Sequence, residues 1–204
     1  MQIKLLTTEN IDEVCLLHLK TLADLSSVFG LPFLKNFYSL LISQRGVHLC
    51  FGAFTKGEII GAVTVTKNMH QTHVFLNGLI TAQTFIMILR ALFSGRVTPG
   101  RLIKRLLFEY KLKHLLPESH IGIITFCVKK EYQRQGIGSA LFRKVLKQLN
   151  LKFNKLYVDT RVENTVSLTF YKAMGFKVLY TLYDAVILMY QQNPAKSDLA
   201  GLVL

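Results

Sequence analysis

The sequence predicts an α/β fold, because segments with the character of buried strands alternate with segments of helical periodicity. Residues 121–128 are continuously apolar and rich in β-branched side chains, which is typical of a buried strand. Residues 139–149 follow after a glycine-containing loop, and their apolar side chains recur at helical spacing. Half of the 204 residues are hydrophobic and 18% are charged, so the chain can bury the core of one domain.

The amino-terminal part is predicted to run strand, helix, helix, strand, strand. Three segments have strand character: residues 2–6, 47–54 and 58–67. Thr7 or Thr8 can cap the first helix, on which His18 is interpreted as a packed residue rather than a catalytic one. Gly30 and Pro32 interrupt the helical pattern, and Pro32 fits the first turn of a second helix. A glycine-containing turn joins the last two strands into a hairpin.

Residues 68–118 are predicted to be mainly helical. Residues 81–93 are apolar at helical spacing, and residues 101–116 form a basic, amphipathic helix. A membrane span is rejected, because the apolar stretch 74–93 contains polar residues and Arg90. Two interpretations stay open: a helical hairpin packed on the domain with its charges solvated, or a functional cover, either a lid or a basic face resting on anionic lipid.

The loop after the strand at 121–128 has the features of an anion site. It reads Gln133-Arg134-Gln135-Gly136-Ile137-Gly138. Two glycines let the backbone turn, and the helix start adds unpaired N–H groups and the positive end of a dipole. This combination suits phosphate groups. The alternative is an ordinary turn, and neither the glycines of a Rossmann fingerprint nor the Gly-Lys-Ser/Thr of a P-loop is present.

The pattern Gln/Arg-x-x-Gly-x-Gly in this loop resembles the acetyl-CoA-binding signature of the GNAT superfamily of acetyltransferases. A second segment, residues 156–176, resembles the next strand and helix of that family, with Asn164, Tyr171 and Gly175-Phe176 at the matching places. The resemblance is strong over residues 121–178, fair over the first 67 residues and absent from about residue 68 to residue 118.

This resemblance implies a GNAT-like fold, a mixed, split central sheet flanked by helices, with a helical insertion at about residues 68–118. It implies one domain over residues 1–190 and a carboxy-terminal tail over residues 191–204. It also implies transfer of the acetyl group of acetyl-CoA to a primary amine by direct attack. The expected acceptor is a small molecule such as an amino sugar or an antibiotic-like amine. Acetylation of a protein amino terminus or lysine is the alternative, and a non-catalytic acyl-CoA-binding regulatory module is the alternative from another class.

The expected cofactor-binding residues occupy the matching positions of the family. The main chain of Phe126, Cys127 and Val128 resembles the segment that pairs with the pantetheine arm of acetyl-CoA. The phosphate contacts are expected from the loop and the helix start: Gln133, Arg134, Gln135, Gly136, Ile137, Gly138 and Ser139. Asn164 and Ser167 are further expected contacts, and helix capping is the competing interpretation for Asn164. No metal ion is expected.

Tyr171 matches the family's tyrosine that protonates the departing thiolate, with core packing as the alternative. Asp159 matches the base of relatives that resemble the ribosomal-protein alanine acetyltransferases. Its alternative role is an edge carboxylate paired with a lysine such as Lys155. Glu163 is a weaker candidate because it sits at a turn. The strand at 121–128 carries no carboxylate, where many relatives have one, so the base is the least determined part of the site.

The net charge of +13 indicates anionic partners. Coenzyme A accounts for part of it, and nucleic acid is disfavoured because no aromatic-rich binding module is visible. Peripheral membrane contact through the basic insertion and a homodimer both stay open. Cys15, Cys50 and Cys127 lack metal-ligand spacing and fit apolar patterns, so they are expected to be buried. An odd number of cysteines without a secretory signal predicts a reducing, cytoplasmic location.

Overall fold

The computed structural model describes residues 1–22, 24–79, 82–95, 97–149 and 155–191. Seven strands of this part form one mixed sheet in the order β1-β2-β3-β4-β5-β7-β6. The strands are β1 (Gln2–Leu5), β2 (His48–Thr55), β3 (Glu58–Thr66), β4 (Gly122–Val128), β5 (Lys155–Arg161), β6 (Lys177–Leu182) and β7 (Ala185–Gln191). All neighbouring strands run antiparallel except β4 and β5, which run parallel. The predicted α/β class and mixed sheet are confirmed.

Seven helices of the described part flank the sheet. They are α1 (Ile11–Thr21), α2 (Leu25–Ser43), α3 (Met69–Asn77), α4 (Ala82–Phe93), α5 (Pro99–Leu115), α6 (Ile137–Leu149) and α7 (Thr165–Ala173). Helix α2 is kinked at Gly30, where the sequence predicts a break, because φ is 80° there. Four helices begin with a polar side chain that accepts a hydrogen bond from a first-turn N–H: Asp24, Asn68, Thr98 and Asn164.

Helices cover both faces of the sheet. On one face, α6 and α7 pack on the central strands through side chains such as Leu141 and Tyr171. On the other face, α1 and α2 pack around Leu17 and Tyr38. Helix α5 packs on β5 and β7 through a third apolar cluster: Phe108, Leu112, Leu116, Tyr157, Ala185 and Ile187. One part of the predicted insertion therefore lies directly on the sheet.

The three cysteines are buried, as the sequence predicts. Burial raises the pKa of Cys15, Cys50 and Cys127 to about 12 in each case. The thiols therefore stay protonated at neutral pH, and a thiolate nucleophile is not available from any of them.

The strands β4 and β5 separate soon after they meet. In the described part, Gly122 and Tyr157 are their one paired position, and the Tyr157 N–H donates to the Ile121 carbonyl at 2.9 Å. A register shift against β3 leaves Ile124 of β4 as a bulge. A bulge bends its strand and increases the local twist, so β4 is bent just beyond its contact with β5. The sheet is therefore split between these strands, as the resemblance implies.

Three helices connect β3 to β4, whereas the sequence predicts two. Helices α4 and α5 correspond to the segments predicted at 81–93 and 101–116, although residue 81 lies outside the described residues. Helix α3 is not predicted from the sequence, because it buries Thr72 alone among its residues and so lacks an apolar stripe. No helix in the described ranges is long and apolar enough to cross a membrane. Residues 192–204, most of the predicted tail, also lie outside the described part.

Replacing Phe108 by alanine should lower the free energy of unfolding by about 3–5 kcal/mol. The reason is that this side chain is 1% exposed in the cluster between α5 and the sheet. Leu107→Ala is the matched control, because the neighbouring side chain is 43% exposed and its truncation should cost less than about 1 kcal/mol. Urea unfolding measures both variants. Equal losses would show that α5 is not docked on β5 and β7.

Candidate functional site

A cavity of about 510 Å³ opens where β4 and β5 separate. Its walls come from residues 123–126 of β4, residues 158–161 of β5 and the first turns of α7. The α1–α2 connection, α3 and α5 contribute Asp24, Leu76 and Arg105 from the other face of the sheet. Because the split opens the sheet from one face to the other, side chains from both faces line the same cavity.

Tyr171 lines this cavity from α7. Its ring centroid lies 6.3 Å from that of Phe126, 5.3 Å from that of Phe170 and 5.2 Å from that of Phe176. Burial raises the pKa of the Tyr171 hydroxyl well above its ordinary value, and the charge of Asp159 raises it further. The structure therefore supplies a protonated phenol whose ring is held in place by three aromatic neighbours.

Asp159 lines the cavity from β5 and pairs with a residue of the insertion. Arg105 of α5 donates from Nη1 to the Asp159 Oδ2 atom at 3.0 Å and also pairs with Glu109. Burial acts to lower the pKa of Arg105, but the charges of these two carboxylates raise it overall. The guanidinium is therefore cationic beside Asp159. This arginine takes the place of Lys155, the partner that the sequence suggested.

The loop before α6 has the backbone of a helix-start anion site. Arg134 and Gly136 have φ angles of 59° and 78°, in the left-handed region. The N–H of Ala140 donates to the Gly136 carbonyl at 2.9 Å, which closes the first turn. The N–H groups of residues 137–139 precede this bond and have no carbonyl partner within the helix. An anion at the start of α6 would meet these groups and the positive end of the helix dipole.

Three residues of this loop region have structural roles. A Cβ atom on Gly138 would lie 3.0 Å from Cε2 of Phe170, so this glycine permits close packing of α6 on α7. The side-chain amide of Gln133 donates to the Val128 carbonyl at 3.0 Å. The side-chain amide of Gln135 donates to the Glu131 carbonyl, just before the loop, at 2.9 Å. These contacts stabilise the loop, and the phosphate contacts of Gln133, Gln135 and Gly138 stay predictions.

The edge of β4 that faces the split is formed by alternate residues. The Lys129 N–H donates to the Ile60 carbonyl of β3 at 2.9 Å. Because the main-chain groups of successive strand residues point to opposite edges, Cys127 also faces β3, whereas Phe126 and Val128 face the split. The Cys127 side chain lies in the apolar layer under α1 and α2. The structure thus places Phe126 and Val128 at the candidate site and turns Cys127 away from it.

Asn164 and Ser167 line the cavity at the start of α7. The side-chain Oδ1 atom of Asn164 accepts from the Ser167 N–H at 3.1 Å, so the capping interpretation is confirmed. A contact of either residue with a cofactor stays a prediction. Glu163 is exposed and pairs with Arg161 at 2.6 Å, as expected of a residue at a turn.

A hydrogen-bonded network on the opposite wall escapes the sequence analysis. The Nε2 atom of His18 lies 3.1 Å from both carboxylate oxygens of Asp24, which lines the cavity. The Nδ1 atom of His18 lies 2.9 Å from the Tyr38 hydroxyl, which donates to the Thr125 hydroxyl at 3.4 Å. His18 is fully buried with both ring nitrogens engaged, which confirms its interpretation as a packed residue.

The environment of Asp24 favours its ionised form. Burial acts to raise the pKa of Asp24, but the hydrogen bond and charge of His18 and two hydrogen bonds from Ser27 lower it below its ordinary value. Asp24 therefore presents a fixed negative charge to the cavity. The available sequence signal was the helix-capping pattern of an aspartate followed by Ser26 and Ser27, which indicates a helix start and not a site.

Comparisons with known proteins find similarity to acetyltransferases. Residues 104–176 match the family model described as "Acetyltransferase (GNAT) family". The match begins within α5, earlier than the resemblance at 121–178. An N-alpha-acetyltransferase of Sulfurisphaera tokodaii is 31% identical over 74 residues, which cover 35% of this chain and 43% of that protein. The matched stretch thus spans less than half the length of that curated relative.

Solved structures share the fold at low sequence identity. The PaiA N-acetyltransferase of Thermoplasma acidophilum, in complex with coenzyme A, superposes with a TM-score of 0.61 at 16% identity, over 94% of this chain and 98% of that chain. The ribosomal-protein-S18-alanine N-acetyltransferase of Escherichia coli gives a TM-score of 0.59 at 15% identity, over 97% of each chain. Within the described residues, no cluster of three or more His, Cys, Asp or Glu could hold a metal ion.

The Asp24 network predicts a pH dependence of stability. The folded-state pKa of Asp24 lies below the ordinary value of 3.8, so its contribution is complete above that pH and is lost as the pH falls further. Urea unfolding from neutral pH to strongly acidic pH should show this loss, with a slope of up to about 1.4 kcal/mol per pH unit. Asp24→Asn should remove that part of the slope. Asp12→Asn, at a carboxylate 70% exposed, is the control, and an identical effect of both variants would contradict the assignment.

Proposed function

We propose that this chain, which belongs to the GNAT superfamily of acetyltransferases, transfers the acetyl group of acetyl-CoA to a primary amine of a small molecule. The split between β4 and β5 carries the proposal. A helix-start anion loop, a β4 edge that is not paired with β5 beyond Gly122 and a protonated tyrosine are arranged around it. No covalent acyl-enzyme is needed when an amine attacks directly.

The residues on either side of the split fit acetyl-CoA. The N–H groups at the start of α6 suit its pyrophosphate. The main-chain groups of Phe126 and the N–H of Val128, whose carbonyl accepts from Gln133, suit the amides of its pantetheine arm, which would add to the sheet edge as a strand does. A PaiA acetyltransferase with this fold is known in complex with coenzyme A, which supports coenzyme A as a ligand of this chain. Acetyl-CoA supplies the activated acetyl group as a thioester.

Two protein groups are proposed to move protons. Tyr171 donates its hydroxyl proton to the departing sulfur and regains a proton from the attacking nitrogen as the amide forms. Its place in the cavity and its protonated state at neutral pH support this role. Asp159 takes a proton from the acceptor ammonium, and Arg105 holds the carboxylate in position through the hydrogen bond at 3.0 Å. Asp159 contacts Arg105 of α5 and Tyr171 belongs to α7, so the base and the acid approach the split from opposite faces of the sheet.

The helices of the insertion that line the cavity favour a small acceptor. Leu76 of α3 and Arg101, Arg105 and Phe108 of α5 line the acceptor side, so the insertion narrows access from that direction. The ionised Asp24 offers a partner for an ammonium group. Acetylation of a protein amino terminus is the second candidate, because the curated relative is an N-alpha-acetyltransferase and the Escherichia coli neighbour acts on a ribosomal protein's alanine.

A thiol-release assay with acetyl-CoA distinguishes these functions. Release of coenzyme A with amino sugars and other small primary amines, but not with peptides, is the expected result. Release with peptides alone would support the second candidate. Binding of acetyl-CoA without thiol release to any amine would support the non-catalytic module and overturn the proposal.

Removing the Tyr171 hydroxyl tests the acid. Tyr171→Phe should lower turnover by roughly 10²- to 10⁴-fold, the scale of general acid catalysis, with little change in acetyl-CoA affinity because the ring still packs. Tyr190→Phe is the matched control, since that ring lies in the same aromatic cluster, 5.5 Å from Phe176, on β7. Near-normal turnover of Tyr171→Phe, with chemistry limiting, would show that the sulfur leaves without this acid.

Removing the Asp159 charge tests the base. Asp159→Asn should lower turnover at neutral pH by roughly 10²-fold or more, because an ammonium acceptor would react only as its scarce free amine. Activity should recover as the pH approaches the acceptor's own pKa. Glu163→Gln, at the exposed neighbouring carboxylate, should keep the parental pH–rate profile. An unchanged profile for Asp159→Asn would place the base elsewhere in the site.

A further inference from the structure

Helix α5 has an exposed apolar face opposite the face that packs on the sheet. Phe108 and Leu112 point to the sheet, and at about 100° per residue the opposite side is occupied by four large side chains. They are Ile103, Leu106, Leu107 and Tyr110, with exposed fractions of 55%, 61%, 43% and 65%. This set is called the outer ridge of α5. Its spacing of three, four and seven residues makes it one continuous stripe.

The charges beside the outer ridge are cationic. Lys104 and Lys111 follow one flank and Lys113 the other, and all three are exposed. Glu109, the one acidic residue of α5, pairs with Arg105 on the side of the cavity. Apolar side chains flanked by lysines form the pattern of a helix that lies in the interface of an anionic membrane.

Helix α4, which precedes α5, also exposes apolar side chains beside a basic residue. Ile86, Leu89 and Phe93 of α4 lie at positions i, i+3 and i+7, with exposed fractions of 48%, 37% and 90%. Arg90 beside them is also exposed. Two successive helices of the insertion therefore expose apolar stripes together with basic residues, which isolated surface leucines would not do.

We propose that the outer ridge of α5 docks on the surface of an anionic lipid bilayer. The ridge side chains would enter the boundary between headgroups and acyl chains, and the flanking lysines would reach the lipid phosphates. A second copy of this chain is a poorer occupant, because two chains of net charge +13 would bring their basic flanks together. The inner face of α5 lines the cavity, so docking would hold the acceptor side within about 10–12 Å, one helix diameter, of the lipid.

A single introduced tryptophan tests this placement, because the chain contains none. Leu106→Trp in the full chain should show a blue-shifted emission, and quenching by brominated acyl chains, with vesicles of phosphatidylserine and phosphatidylcholine. Leu16→Trp is the control, at a leucine of α1 that is 48% exposed and outside the insertion. It should show neither change. Equal responses at both positions, or none at position 106, would overturn the proposal.

Vesicle flotation measures the apolar and the electrostatic contributions to membrane binding separately. Leu106→Ser combined with Tyr110→Ser should weaken binding by about tenfold or more through lost apolar burial. Lys104→Gln combined with Lys113→Gln should weaken binding to anionic vesicles by about tenfold, and high salt should weaken wild-type binding in the same way. Unchanged urea unfolding verifies that the variants fold. The proposal would be overturned if both double variants bound vesicles as strongly as the wild type does. It would also be overturned if the wild type were a dimer that these variants convert to a monomer. Because acetyl transfer is not measured, failure here is distinct from failure of the proposed function.

Discussion

The site depends on one short parallel contact in the sheet. Gly122 and Tyr157 pair β4 with β5, and the bulge at Ile124 bends β4 directly afterwards. If the two strands paired along their full length, the main-chain groups of Phe126 and Val128 would be satisfied by β5 and no cavity would exist. The split therefore creates both the edge for a strand-like ligand and the opening between the two faces of the sheet.

The insertion is joined to this site by charge as well as by packing. Phe108 docks α5 on β5 and β7, and Arg105, one turn away on the helix, reaches Asp159. The same helix thus positions a proposed catalytic carboxylate on its inner face and presents the outer ridge on the other. If both proposals hold, one rigid helix links the choice of acceptor to the lipid surface on which the protein would work.

The local parts of the site were predictable from sequence, and its long-range pairs were not. The strand, glycine loop and start of α6 are adjacent in the chain, so their patterns appear in one stretch. Arg105 and Asp159 are 54 residues apart in the chain, and His18 and Tyr38 are 20 residues apart. Neither pairing therefore leaves a periodic pattern in the sequence. The predicted role of Cys127 ignored the alternation of strand edges, which turns its main chain to β3. Helix α3 lacked an apolar stripe and was missed for that reason.

Amide hydrogen exchange at β4 tests the central claim that acetyl-CoA completes the split sheet. By NMR, the N–H groups of Phe126 and Val128 should exchange readily in the free protein and become protected when acetyl-CoA is added. The N–H of Cys127, already directed to β3, should be protected in both states and serves as an internal control. Unchanged exchange at Phe126 and Val128 under saturating acetyl-CoA would contradict the account.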